Sequence, residues 1–153
     1  MRNVVLAMFV VGCSGSSEPA PPRGKLELNL APRTGDLSAF IAGEVAHAKQ
    51  TGKHVVVYVG ADWCEPCRKF HEAARSGQLD AELGDLRLVE LDLDRDQARL
   101  EAAGYQSVFV PLFAVPREDG HASGTQTDGV RKSAGGMVEQ LVPRIRALIP
   151  AGG

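Results

Sequence analysis

The chain has 153 residues, which is the length of one domain rather than two. Hydrophobic residues make up 44% of it and charged residues 24%, an ordinary balance for a globular protein with a packed core. The net charge is −2 and no basic cluster is present, so no nucleic-acid partner is expected. No apolar run is long enough to span a bilayer as a helix.

The first residues have the layout of an export signal. Residues 1–12 carry one positive charge, then a short apolar stretch, then a small residue. The segment that ends at Cys13, Val-Val-Gly-Cys, resembles the lipobox of bacterial lipoproteins. That resemblance implies cleavage before Cys13 and lipidation of its thiol, which would anchor the chain to a bacterial membrane. The alternatives are an ordinary signal peptide with an incidental Cys13, or a leader that is never cut.

A flexible tether is predicted between this cysteine and the folded part. Residues 14–24 are small, polar and proline-rich, a composition that cannot bury a core. The predicted organisation is therefore a lipoprotein signal peptide over 1–12, a lipidated tether over 13–25 and one domain over 26–150. The domain would face the periplasm or another extracytoplasmic space.

The first half of that domain alternates strand and helix patterns. Alternating leucines over 26–30 predict a short, half-buried strand. Apolar residues at helical spacing predict a helix over 37–48. The near-continuous β-branched run over 53–60 suits a central strand covered on both faces. A second helix is predicted from the following Cys-x-x-Cys segment to about residue 75.

The second half continues the alternation. A strand is predicted over 86–93, and the acidic residues at 92–96 are predicted to form a solvated loop. A short helix is predicted around 97–103, followed by an apolar strand pattern over 107–115.

One or two edge strands and a helix complete the pattern. Asp119-Gly120 and Asp128-Gly129 are turn signals, and apolar residues over 137–148 predict a C-terminal helix. Pro143 is expected to kink or split that helix. The order β-α-β-α-β-α-β-β-α predicts an α/β fold, a mixed sheet with helices on both faces.

Two cysteines separated by two residues directly follow the predicted central strand. A strand that runs into a helix places unpaired N–H groups and the positive end of the helix dipole at this point. Cys64 would therefore hold a stabilised thiolate, which is the nucleophile in disulfide exchange. Cys67, one turn further in, would resolve the mixed disulfide, and Pro66 supplies the φ that a first turn accepts. Cys64 is expected to be exposed and Cys67 buried.

The residues around this pair resemble the active-site motif of the thioredoxin superfamily. Residues 61–69 read Ala-Asp-Trp-Cys-Glu-Pro-Cys-Arg-Lys, and Val110-Pro111 resembles the cis-proline that faces the dithiol in that family. The resemblance covers roughly 36–149, and the stretch 53–70 looks most like the C-terminal domain of the DsbD reductase and its exported relatives. It implies a thioredoxin fold and a thiol–disulfide oxidoreductase.

The same resemblance assigns supporting roles at the site. The redox group would be the Cys64–Cys67 disulfide, with no other cofactor. Trp63 would shape the docking surface, and the Val110 backbone would pair with an extended substrate. The expected partners are disulfide-containing exported proteins. A membrane electron donor is also expected, because a reductant in an oxidising compartment needs a supply of electrons.

Three residues near the dithiol are expected to tune its redox potential. Tyr58 stands where many thioredoxins carry a buried aspartate that relays protons, and His71 stands where DsbD-type domains carry an acid. Both changes remove negative charge. Glu65, beside Cys64, adds negative charge and destabilises the thiolate, which favours a reductant. The loss of acids at positions 58 and 71 has the opposite effect, but Glu65 is nearest to the attacking sulfur and is given more weight.

Other interpretations stay open at this stage. Cys64 and Cys67 could form a fixed structural disulfide, or they could bind a metal together with His71. No fourth ligand at matching spacing is evident, so no metal site is expected. His71 could equally be a solvated helix residue. The second function class is a thioredoxin scaffold that docks partners or carries a metal without redox turnover.

Overall fold

A computed structural model describes residues 24–129 and 136–149, which form a five-stranded sheet flanked by helices. The strands are β1 (Glu27–Leu30), β2 (His54–Gly60), β3 (Leu86–Asp92), β4 (Leu112–Pro116) and β5 (Ala122–Asp128). The helices are α1 (Leu37–Gln50), α2 (Glu65–Arg75), α3 (Asp80–Leu83), α4 (Leu93–Ala102) and α5 (Met137–Arg146). The predictions for the leader, Cys13 and most of the tether concern residues outside these ranges.

The sheet is mixed, as predicted. Its strand order is β1-β3-β2-β4-β5. The first three strands in that order are parallel, whereas β4 runs antiparallel to both β2 and β5. Parallel neighbours need crossover connections, which α1 provides between β1 and β2 and α2 with α3 provide between β2 and β3. The predicted α/β class is therefore confirmed.

Strand β2 lies in the centre of the sheet and sends side chains into two cores. Val56 and Tyr58 pack with α2, α3 and α5 on one face. Val55, Val57 and Val59 pack with α1 and α4 on the other. All five side chains are buried, because a strand covered on both faces has no solvent side.

The C-terminal helix α5 closes one of these cores. Leu141 and Ile145 are fully buried, and the guanidinium of Arg146 bonds both oxygens of Asp85 at 2.7–3.0 Å. Pro143 lies inside α5, which runs as one helix, so the predicted split is wrong. Leu141 and Ile145, on either side of the proline, pack in the same core. In the described part of the chain, no helix is both long and apolar enough to cross a membrane.

The fold contains one helix that the sequence pattern did not reveal. Helix α3 has four residues, too few to show a helical period. Its Leu83 is fully buried, and Asp80 accepts a hydrogen bond from the Leu26 backbone N–H at 3.0 Å.

The acidic residues after β3 form the beginning of a helix, so the predicted loop over 92–96 is wrong. Helix α4 begins at Leu93, several residues before the predicted start. The carboxylate of Asp92 accepts a hydrogen bond from the Arg95 backbone N–H at 2.9 Å and caps the helix. Acidic residues suit this position, because the N-terminal end of a helix carries a partial positive charge.

The predicted strand over 107–115 is also shorter than expected. Strand β4 begins at Leu112, and the preceding residues form bends. The Ser107 hydroxyl lies 3.0 Å from the Phe109 backbone N–H and 2.7 Å from its carbonyl, which fixes a turn. As a result Val108 and Phe109 are 90% and 63% exposed.

At the other end of the sheet, β5 is an exposed edge strand of polar character. It pairs only with β4 among the described strands, and the register shifts between Ala114 and Pro116. The Ser123 hydroxyl bonds the Val115 carbonyl at 2.7 Å inside this irregularity.

Asp96 is the one fully buried acid among the described residues. Its carboxylate accepts hydrogen bonds from Arg95 at 2.5 Å, Arg99 at 3.0 Å and the Asp92 backbone N–H at 3.1 Å. Burial alone acts to raise the pKa of Asp96, but these bonds and the two arginine charges outweigh it and lower the pKa.

We expect Asp96→Asn to lower the free energy of unfolding by about 3 kcal/mol at pH 7, because it leaves Arg95 and Arg99 without their carboxylate. The contribution of a carboxylate with a lowered pKa is present above its ordinary value of 3.8 and is lost as the pH falls through the folded-state pKa. The difference in free energy of unfolding between wild type and Asp96→Asn should therefore be smaller in acid. Urea unfolding at pH 7 and pH 3 measures it, with the exposed Asp94→Asn as control. An equal gap at both pH values would contradict this account.

Candidate active site

The two cysteines of the Cys-x-x-Cys segment form a disulfide where β2 runs into α2. Cys64 is the N-cap residue of α2 in extended backbone conformation, and its sulfur accepts a hydrogen bond from the Cys67 backbone N–H at 3.2 Å. Pro66 lies in the first turn, where no N–H is required. The predicted position of Cys64 at the helix terminus is confirmed, and backbone donors there favour a thiolate on its sulfur.

The expected difference in exposure between the two cysteines is wrong for this disulfide form. Cys64 and Cys67 are each 4% exposed. Both pack with Ala61, and the partly buried Leu93 and Val110 cover them. What distinguishes the cysteines is their position on α2, because only Cys64 lies at the cap.

The segment that covers the disulfide contains the predicted cis peptide bond. The bond between Val110 and Pro111 is cis, which confirms the prediction. Pro111 is buried, and Val110 is half-buried against the two cysteines. The Pro111 carbonyl accepts a hydrogen bond from the Gly129 backbone N–H at 3.0 Å, which ties the segment to the end of β5.

An exposed apolar side chain stands immediately before Cys64. Trp63 is 63% exposed, and its indole N–H donates to the Asp94 carboxylate on α4 at 2.9 Å. This bond holds the ring at the surface. The sequence indicated an exposed Trp63, but it gave no sign of Asp94, which was predicted to lie in a solvated loop.

Glu65 does not act as an isolated charge beside Cys64. Its carboxylate lies 2.7 Å from the Lys69 ammonium one turn along α2, and both side chains are exposed. The expected effect of Glu65 on the thiolate is therefore partly neutralised by Lys69.

Tyr58 fills the position behind Cys67. Its ring lies between Phe70 and Phe113, with centroids 5.2 and 5.1 Å away. The hydroxyl donates to the Cys67 carbonyl at 3.3 Å. Burial, reinforced by the nearby Glu90 carboxylate, raises the pKa of Tyr58. Tyr58 therefore stays protonated at neutral pH.

One interpretation of the sequence made His71 a solvated helix residue, and the structure shows that this is wrong. It is about one-fifth exposed, and its Nε2 lies 2.6 Å from Oε1 of Glu90, close but not aligned as a hydrogen bond. The imidazole also stacks on Tyr58 at 6.3 Å. In residues 24–129 and 136–149, no three His, Cys, Asp or Glu side chains are grouped so that they could bind a metal.

Glu90 is the residue at this site that sequence reasoning missed. It lies directly opposite Tyr58 in the pairing of β2 with β3. The negative charge that is absent at positions 58 and 71 is therefore replaced in part by a carboxylate from a neighbouring strand. Only the register between the two strands, which the sequence does not state, could have revealed it.

Gly60 at the end of β2 allows Tyr58 and Cys67 to approach each other. A Cβ at this position would lie 2.9 Å from the Tyr58 hydroxyl oxygen and 3.4 Å from the Cys67 Cβ. Tyr58 cannot move away easily, because two phenylalanine rings hold it.

We expect Gly60→Ala to destabilise the protein by about 1–3 kcal/mol through this overlap. The Tyr58→Phe substitution removes the hydroxyl. If the overlap causes the destabilisation, Gly60→Ala should destabilise the Tyr58→Phe protein by roughly half as much or less. Urea unfolding of the wild type, the two single variants and the double variant measures the coupling between the two positions. Gly43→Ala, on α1 with open space around it, is the control and should stabilise slightly. Additive effects of Gly60→Ala and Tyr58→Phe would exclude the overlap as the cause.

Comparison with known proteins agrees with this geometry. A family model described as thioredoxin-like matches residues 36–117. The probable nucleoredoxin 3 of Oryza sativa subsp. japonica is 30% identical over 71 residues, which are 44% of this chain and 14% of that protein. The chain thus spans a small part of that relative's length.

Two solved structures share the fold. A thioredoxin h from poplar is 22% identical with a TM-score of 0.52, over 84% of this chain and 99% of its own. The thioredoxin of Fasciola hepatica is 18% identical with a TM-score of 0.52, over 79% and 99% of the two chains. At these identities the neighbours establish the fold alone. By its family match, its sheet and its Cys64–Cys67 pair, the chain belongs to the thioredoxin-like family, and these features support a thiol–disulfide oxidoreductase.

Proposed function

We propose that this protein is a membrane-tethered oxidoreductase that reduces disulfides of exported proteins through Cys64 and Cys67. The observation that carries the proposal is the Cys64–Cys67 disulfide at the N-terminal cap of α2, beside the exposed Trp63. A structural disulfide has no need of a helix terminus that stabilises a thiolate, nor of an exposed indole beside it.

The chemistry has two steps. In the reduced protein, the Cys64 thiolate attacks a disulfide of the partner, forms a mixed disulfide and expels one partner sulfur as a thiolate. Cys67 then loses its proton and attacks the Cys64 sulfur. The Cys64–Cys67 bond forms, and the second partner sulfur leaves with its electron pair. The partner gains two electrons, and the protein ends in the oxidised form that the structure shows.

An apolar surface around the disulfide supports a polypeptide partner. Trp63, Val108 and Phe109 are exposed, and Val110 lies against the two cysteines. An extended chain could pair its backbone with Val110 while its apolar side chains contact these residues.

Charge near the dithiol supports reduction as the direction. Glu65 lies beside Cys64, although Lys69 partly neutralises it. Glu90 adds a carboxylate in the groove that Cys67 also lines, and it is more buried than the arginines at 68, 75 and 95 that line the same groove. Negative charge near a thiol disfavours the thiolate, and a dithiol whose thiolate is less stable is a better electron donor.

The tether rests on the sequence around Cys13. A reductant in an oxidising compartment needs a supply of electrons, and a membrane-embedded donor would provide it. A short tether would keep the domain near that donor by raising its effective concentration.

We expect Cys67→Ser to accumulate mixed disulfides through Cys64, because the resolving thiol is absent. Incubation with oxidised secreted proteins, followed by gels with and without reductant, measures the adducts. Cys64→Ser is the matched control and should form few. Adducts through Cys67 instead would invert the two roles, and their absence in both variants would favour a scaffold that binds without turnover.

We expect an equilibrium reduction potential closer to about −270 mV, typical of a reductant, than to about −120 mV, typical of a strong oxidant. Equilibration with glutathione at defined ratios measures it. Glu65→His should raise the potential, because a positive charge beside Cys64 favours its thiolate. Glu118→Gln removes an exposed acid outside the site and should leave the potential unchanged. A wild-type value near that of the strong oxidants would overturn the proposed direction.

We expect Cys13→Ala to move the protein from the membrane fraction to the soluble fraction, because the lipid would have no attachment point. Fractionation of bacteria that express the full chain measures this, and Cys64→Ser is the control that should remain with the membranes. An unchanged distribution would remove the tether from the proposal.

A further inference from the structure

A groove of about 640 Å³ borders Cys67, and Val110 is not among the residues that line it. Cys67, Tyr58, His71 and Glu90 all line it. Cys67 and His71 are four residues apart on α2 and therefore lie on the same face of the helix, one turn apart. The other charged residues that line the groove are Asp62, Arg68, Glu72, Arg75, Asp92 and Arg95.

The proposed chemistry requires a proton acceptor near Cys67. Before Cys67 can attack the mixed disulfide, its thiol must lose a proton, because the thiolate is the nucleophile. Cys67 is only 4% exposed, and it lines this groove together with polar side chains.

Most of the acids in the groove are engaged elsewhere or lie in solvent. The Asp92 carboxylate caps α4 through the Arg95 backbone N–H. Asp62 and Glu72 are exposed. Tyr58 is the nearest hydroxyl, but it donates to the Cys67 carbonyl, and burial raises its pKa.

The remaining candidates are Glu90 and His71, which lie 2.6 Å apart and are each about four-fifths buried. Glu90 is opposite Tyr58 on the neighbouring strand, and Tyr58 is in turn hydrogen-bonded to the backbone of Cys67. His71 lies against the carboxylate from the helix side. The pair thus stands between α2 and the sheet, inside the groove that reaches Cys67.

We propose that the Glu90 carboxylate, positioned by His71, accepts the proton of Cys67 through solvent in this groove during resolution. The proton leaves the Cys67 sulfur as that sulfur bonds to Cys64, and the electron pair of the broken Cys64–partner bond departs on the partner sulfur. No other reactant is consumed. This assignment rests on the proposed function, because it concerns the second step of the same exchange.

A two-phase reaction separates the two steps. The reduced full chain, carrying Cys13→Ala so that only the dithiol reacts, is mixed with the aromatic disulfide dithiobis(nitrobenzoate) in a stopped-flow instrument. Attack by Cys64 releases one coloured thiolate, and attack by Cys67 releases the second. The released thiolate is stable without a proton, so the second phase reports the loss of the Cys67 proton.

We expect Glu90→Gln to slow the second phase roughly tenfold or more at pH 7 and to leave the first unchanged, since a positioned base contributes factors of this size or larger. The difference should vanish above about pH 9, where hydroxide can take the proton. The His71→Gln variant should show a smaller slowing of the same phase. Glu72→Gln removes an exposed carboxylate from the same groove and should change neither phase.

The sign of the Glu90→Gln effect decides between two roles. If Glu90 acted only as a charge, its removal would favour the Cys67 thiolate and accelerate the second phase. Acceleration, no change, or equal slowing of both phases at every pH would therefore overturn the proposal. Absence of the first phase in the parent protein would instead overturn the proposed oxidoreductase function itself.

Discussion

The burial of β2 on both faces is the constraint on which the site depends. A shift of β2 by one residue would exchange the faces of all its side chains, and it would remove Tyr58 from its place between Phe70 and Phe113. This fixes where β2 ends, and so it fixes where the chain turns into α2 and where Cys64 caps that helix. The same pairing with β3 sets Glu90 opposite Tyr58.

The disulfide therefore has two unlike sides. Toward Trp63 and Val110 it meets apolar groups, which suit contact with another polypeptide. Toward Tyr58 and Glu90 it meets a hydroxyl, a carboxylate and solvent, which suit the movement of a proton. Disulfide exchange needs both, because a sulfur must reach its partner while a proton leaves in another direction.

Sequence patterns predicted what is local and missed what depends on register. The run of β-branched residues and the Cys-x-x-Cys segment predicted β2 and the start of α2, and the fold class followed from the order of elements. The acidic residues after β3 looked like a loop, because helix caps and loops share the same composition. The contact of Glu90 with His71 joins strand β3 to helix α2, and no local sequence pattern predicts which residues of two such elements meet.

The two edges of the sheet have features that discourage other chains from adding as extra strands. A flat, regular edge invites any extended chain to add itself as another strand, which would lead to aggregation. Here one edge, β1, has only four residues, and the other, β5, is polar and pairs through a register shift near Val115. Both devices discourage strand addition at the edges. Under the proposed function, an extended partner chain would then add its backbone at the Val110 segment and not at a sheet edge, so the edges would contribute to selectivity.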